Sequence, residues 1–230
     1  MYISKVQQNR RFKDGKYTLP ESQFVASFDV DPQKTFTPLC PHELPVPKGT
    51  EIVAQLNQQA KWASLRLVSK DSHSDKALWI ANEAHPPLEK MAELNMDRRW
   101  PMHAVPGTIG FELLEGLPAI PEYDYVVWKG MELDMHPYGA CYHDLAEKLS
   151  TGVIEFLQVR KINTVIIGGL ATEHCVKTTA LQLQKAGFQC VVNLAACRGI
   201  DAIAIDKALT EMYEAGIVVV QSVIDLIRVS

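Results

Sequence analysis

Apolar and polar positions along this chain fall into short runs that alternate between two periods. Phe24–Val30 (FVASFDV), Leu65–Ser69, Tyr125–Trp128, Thr164–Ile167, Gln189–Val192 and Ile217–Val220 are short, apolar and rich in β-branched or aromatic residues, as buried strands require. Between them lie stretches with apolar residues at helical spacing. Thr50–Ala63 carries Ile52, Val53, Leu56, Ala60 and Ala63. The stretch from about Glu173 carries Val176, Thr179, Ala180 and Leu183, with Gly187 as its stop. Further helices are expected over about 142–160 and 201–215. Strands alternating with helices predict an α/β fold: a doubly wound, mainly parallel central sheet of about six strands with helices on both faces.

Three segments stand outside that alternation. Residues 1–22 are polar, carry Lys5, Arg10, Arg11, Lys13 and Lys16, and read as a solvated arm outside the main sheet. Thr37–Lys48 holds Pro38, Pro41, Pro45 and Pro47 and must be an irregular loop. Residues 74–99 are long and irregular, which suggests a lid or a subunit contact. The remainder, 23–230, reads as a single domain.

Composition narrows the class. With 230 residues and 47% apolar content the chain can build one large core. A net charge of −4 gives no reason to expect a nucleic-acid or membrane partner. No apolar run approaches the ~20 residues of a spanning helix, and the N-terminus lacks the apolar core of a signal peptide. Cys40, Cys141, Cys175, Cys190 and Cys197 are odd in number, scattered and without a CxxC pair. That pattern suits reduced thiols in a cytoplasm.

Candidate chemistry gathers at the strand ends: Asp29 and Asp31, Asp71 with His73, Lys129, and Cys175. In a parallel sheet such ends open on one edge, so these groups can converge. Cys175 follows a Gly-rich turn (Gly168, Gly169) and falls in the first turn of a helix that Thr172 is placed to cap, where free N–H groups favour thiolate. It reads either as a nucleophile or as a buried structural cysteine. Asp31 suits a base, Lys129 a group that holds that carboxylate, and the N–H groups near Ala171 and Cys175 an oxyanion hole. An ordinary ion pair is the alternative for Asp31 and Lys129. Asp71-Ser72-His73 puts a carboxylate and an imidazole on one side of an extended segment, and His103 is a candidate third metal ligand. His85, Glu83 and Glu89 are candidate extra ligands, more simply read as surface groups. His42, His136, His143 and His174 show no partner pattern and are read as structural or solvated.

From about residue 24 the chain resembles the nicotinamidase branch of the isochorismatase-like cysteine hydrolases. The most specific piece is GGLATEHCVKTTAL, which is similar to that family's nucleophile segment. Asp31-Pro32-Gln33-Lys34-Thr35-Phe36 resembles its first-strand Asp-x-Gln-x-x-Phe motif and selects Asp31 over Asp29. The resemblance implies that Asp31, Lys129 and Cys175 are catalytic, and that Asp71, His73 and His103 (in WPMHAVPGTIG) hold one divalent metal ion, zinc before iron or manganese. It implies that Phe36 and Trp100 sandwich a pyridine ring. It also implies a cis peptide at Leu170-Ala171 that aims the oxyanion N–H groups. The wide gap between His73 and His103 marks 74–99 as an insertion, and Ala195 stands where the family often has an aspartate.

The expected activity is therefore hydrolysis of nicotinamide to nicotinate and ammonia in NAD salvage. The partner is a small molecule, with neither nucleic acid nor membrane involved, and a homo-oligomer is expected. Three other readings stay open: an amidase for another carboxamide, carbamoyl or ureido compound; a non-catalytic relative acting through its surface; and a two-His-one-carboxylate iron oxygenase.

Overall fold

A computed structural model describes residues 12–13, 15–93 and 95–228. Residues 1–11 and Asp14, the greater part of the expected arm, lie outside the described residues. In chain order the elements are β1 (Phe12–Lys13), β2 (Lys16–Leu19), β3 (Val25–Val30), α1 (Val53–Ala60), β4 (Leu65–Asp71), β5 (Lys90–Glu93), β6 (Met96–Arg98) and β7 (Tyr125–Lys129). There follow α2 (Val153–Val159), β8 (Thr164–Leu170), α3 (Lys177–Lys185), β9 (Gln189–Arg198), α4 (Ala202–Glu214), β10 (Val218–Val220) and β11 (Leu226–Arg228).

The central sheet has six strands in the order β10-β9-β8-β3-β4-β7, all parallel. From β3 the chain builds outward through β4 and β7, then returns to the other side of β3 and builds outward through β8, β9 and β10. The order reverses between β3 and β8, and a crevice opens there beyond the carboxyl ends of the strands. The strands are apolar on both faces because both are covered. Val165 and Ile167 of β8 pack with Leu157 of α2, Leu183 of α3 and Met212 of α4, whereas Ile166 points to the opposite cluster with Val25 and Val191. On that second side Ile52 and Leu56, at the start and within α1, pack on Leu170 and Ala196.

Three expectations need correction. The helix expected over about 142–160 forms only over Val153–Val159. The preceding residues turn instead, because the Asp144 carboxylate accepts N–H bonds from Lys148 (2.9 Å) and Leu149 (2.8 Å) and Gly152 adopts φ +85°. Nor is all of the N-terminal stretch a solvated tail. Lys16-Tyr17-Thr18-Leu19 alternates with period two, pairs with β11 in a small side sheet, and buries Tyr17 and Leu19 fully. Finally, the helix after β8 opens as a π turn over Thr172–Val176 before α3 begins, and Thr172 makes no side-chain cap.

Gly169 of β8 stands opposite Val30 of β3 in the ladder. Its φ is +145°, and a Cβ there would collide with the carbonyl oxygen of Val30. Immediately beyond Val30, Asp31 leaves the strand at φ +45°, so it does not share a face with Asp29. Asp29 instead pairs with Arg66 (2.7 Å) and accepts from the Tyr123 hydroxyl (3.1 Å).

Candidate active site

β3, β4, β7 and β8 each deliver a reactive group to the crevice. Asp71 and Lys129 are partners in the parallel ladder at the ends of β4 and β7. The Lys129 ammonium donates to the Asp71 carboxylate, lies 3.0 Å from Asp31 Oδ2, and lies 3.7 Å from Cys175 Sγ. Lys129 and Asp31 are fully buried and Cys175 nearly so.

Charge balance follows from that burial. Desolvation pulls the Lys129 ammonium down, but the two carboxylates outweigh it and push its pKa well above the usual lysine range. Burial raises the Asp31 carboxyl against the pull of Lys129, with Asp71 adding to the rise. Burial also drives the Cys175 thiol well above its ordinary value, opposed by Lys129. Burial therefore works against the thiolate expected from a helix start, with Lys129 on the other side of the balance.

Each group is held from more than one side. The Ser69 hydroxyl donates to Asp31 Oδ1 (2.6 Å), while the Asp31 N–H donates to the Ser69 carbonyl (3.1 Å). The Gln33 side chain mimics a strand neighbour: its Nε2 donates to the Asp71 carbonyl (2.9 Å) and its Oε1 accepts from the Asp71 N–H (2.7 Å). That is a physical reason for a glutamine two residues after Asp31. Cys175 lies in the π turn after a Leu170-Ala171 peptide that is cis. Glu173 of the same turn accepts the N–H groups of Ile200 (2.7 Å) and Asp201 (3.0 Å), which ties the turn to the start of α4.

The other oxygen of Asp71 faces two imidazoles. Asp71 Oδ2 is 3.5 Å from His73 Nε2 and 3.7 Å from His103 Nε2. His73 Nδ1 meets the Gly130 carbonyl at 2.9 Å and His103 Nδ1 meets the Pro101 carbonyl at 2.7 Å. A carbonyl only accepts, so each ring donates through Nδ1 and turns its Nε2 inward. His73 Nε2 is buried without a hydrogen-bond partner. Two imidazole lone pairs and a carboxylate oxygen converging in this way suit a divalent metal ion.

Phe36 and Trp100 both line a cleft that Asp71, His103, Ala171 and Cys175 also line. The Trp100 indole N–H donates to the Tyr138 hydroxyl (3.2 Å), which donates to Asp97 (2.7 Å). Asp31, Asp71, His73, His103, Lys129 and Cys175 thus gather at one crevice, beside Phe36 and Trp100. His85, Glu83 and Glu89 do not: they are exposed, and His85 pairs with Glu89 at 2.9 Å. Two contributors escaped the sequence reading. His136 lies with its donor atom within 4.8 Å of those of His73 and His103, and burial and the neighbouring imidazoles hold it neutral. Trp79, fully buried, packs its ring 4.7 Å from His73, 5.3 Å from His103 and 4.5 Å from His136. Neither sits at a diagnostic spacing; each is brought in by tertiary packing. All five cysteines are free, and among the described residues no helix is long and apolar enough to cross a membrane.

The chain belongs to the family defined by the isochorismatase domain, whose model matches residues 26–223. Within it, the chain is 30% identical over 192 residues to a nicotinamidase of Acinetobacter baylyi, covering 82% of this chain and 88% of that protein. A solved nicotinamidase and pyrazinamidase from Acinetobacter baumanii superposes with a TM-score of 0.79 at 31% identity, over 86% of this chain and 96% of that one. The pyrazinamidase of Pyrococcus horikoshii, solved in complex with zinc, gives 0.70 at 29% identity, over 86% and 99%.

Proposed function

We propose that this chain is a nicotinamidase, hydrolysing nicotinamide to nicotinate and ammonia through a thioester on Cys175. One observation carries the reading: an ammonium in buried contact with both an acid and a thiol, the thiol lining a cleft that metal-ligand donors also line. Relatives that act on this substrate class support it.

Phe36 and Trp100 grip the pyridine ring between them. Asp71, His73 and His103 would hold a divalent ion, zinc in this reading, which would supply Lewis-acid chemistry toward the ring nitrogen. Asp31 takes the Cys175 proton, and the sulfur attacks the carboxamide carbon. Lys129 keeps Asp31 in place and balances its charge. The N–H groups of Ala171 and Cys175 receive the oxyanion. Asp31 then returns its proton to the departing ammonia, and water, activated by the same carboxylate, opens the thioester. The enzyme acts in the cytoplasm, a compartment that free cysteines suit, and it works as a homo-oligomer, which light scattering tests.

The deciding experiment measures ammonia release from nicotinamide beside a panel of carbamoyl and ureido compounds. Preference for nicotinamide, abolished in Cys175→Ala, is the expected result. Preference for a ureido compound would reject the substrate, and undiminished turnover by the variant would reject the mechanism.

A further inference from the structure

We propose that His136 is a fourth protein ligand of the bound ion, completing a set of three imidazoles and one carboxylate. The proposal rests on the metal reading above and extends it to a residue outside the Asp71, His73, His103 set.

Distance is the first argument. One donor nitrogen from each of His73, His103 and His136 lies within 4.8 Å of the others. Donors bound to a common ion at about 2.1 Å cannot stand more than about 4.2 Å apart, so only a small contraction is needed. The rings already radiate suitably. Their centres are 4.7 Å (His73 to His103), 5.1 Å (His73 to His136) and 5.8 Å (His103 to His136) apart. Imidazoles bound through one nitrogen put their centres about 3.2 Å from the ion, hence about 4.5–6 Å from one another.

The second argument is unmet hydrogen bonding. His136 is 3% exposed, yet neither of its ring nitrogens has a hydrogen-bond partner. Leaving a buried polar group unsatisfied costs about 1–3 kcal/mol, so such groups call for an explanation. His73 and His103 each spend Nδ1 on a carbonyl and present Nε2. His136 has no such tether, and an ion between the rings would satisfy it directly.

The third argument is support. Segment 74–99 braces the loop bearing His136 through bonds that include Leu78 N–H to the Leu133 carbonyl (2.8 Å), Trp79 indole N–H to the Met135 carbonyl (3.1 Å), His136 N–H to the Asn95 carbonyl (2.9 Å) and the Tyr138 hydroxyl to Asp97 (2.7 Å). Trp79 then lays its ring against all three imidazoles. Such bracing of a ligand's backbone and ring is what metal sites use to fix their ligands.

X-ray absorption at the zinc edge of the loaded wild-type protein counts imidazoles without any substitution; three are expected. In parallel, chelator competition on His136→Ala and His136→Gln should show zinc affinity reduced at least about 10-fold, and the cobalt(II)-loaded forms should show shifted visible bands. Stoichiometric zinc with two imidazoles, or unchanged affinity and bands in both variants, would overturn the assignment while leaving the metal site intact. Wild-type protein that takes up no stoichiometric zinc would overturn the metal reading itself, and this proposal with it.

Discussion

Lys129 and Asp71 face each other at the ends of neighbouring strands, and the ammonium of one is bonded to the carboxylate of the other. The same ammonium reaches Asp31 at 3.0 Å and Cys175 at 3.7 Å. One cation therefore serves both the acid beside the sulfur and the acid beside the imidazoles. Lys129→Met would leave two buried carboxylates without it. Removing one member of a buried charged group costs about 3–5 kcal/mol, so urea denaturation should show a loss of that order together with loss of activity. A loss below about 1 kcal/mol would contradict the shared role.

Cys175→Ala deletes the proposed nucleophile and leaves every proposed metal ligand in place. Ammonia release should fall by at least about 10⁴-fold. Zinc content, measured on the same sample, should not change.

Trp100 and Phe36 line the cleft and take no part in proton transfer. Trp100→Ala should act mainly on ground-state binding, raising KM for nicotinamide by about 10- to 100-fold with a smaller change in kcat. A fall in kcat with KM unchanged would place the indole elsewhere in the mechanism.

Asp29 supplies a pH dependence separate from the site. Burial raises its pKa from 3.8 to about 6, against the pull of Arg66 and the Tyr123 hydroxyl. Between about pH 4 and 6 the folded chain thus holds a proton here that the unfolded chain has released. Stability from this group is fully present below pH 4 and is lost as pH rises through 6, by about 3 kcal/mol in all. In Asp29→Asn that falling contribution disappears. The variant-minus-wild-type difference in unfolding free energy should therefore climb between pH 4 and pH 6.5. A flat difference would show that Arg66 offsets the burial.

Much of this was legible in the sequence. The six strands announced themselves as short runs rich in β-branched and aromatic residues, and β3 and β8 at the centre are buried throughout. The site followed from strand ends in a parallel sheet, and from short motifs around Asp31, Asp71 and Cys175. What was not legible has local causes. Leu145, Leu149 and Val153 keep helical spacing, but Asp144 and Gly152 spend the intervening backbone on turns. The π turn around Cys175 has the same residue pattern as an ordinary helix start. His136 follows Lys129 at no spacing that signals a ligand; its companions come from two distant loops, and only the packing of segment 74–99 brings the three rings together.

Gly169 sits where the strand leading to the sulfur passes the strand leading to its acid. Even alanine there would wedge the two ladders apart at their business end. The reach from Asp31 to Cys175 is thus gauged by a missing methyl group, a tolerance set one layer beneath the chemistry by an atom the chain does without.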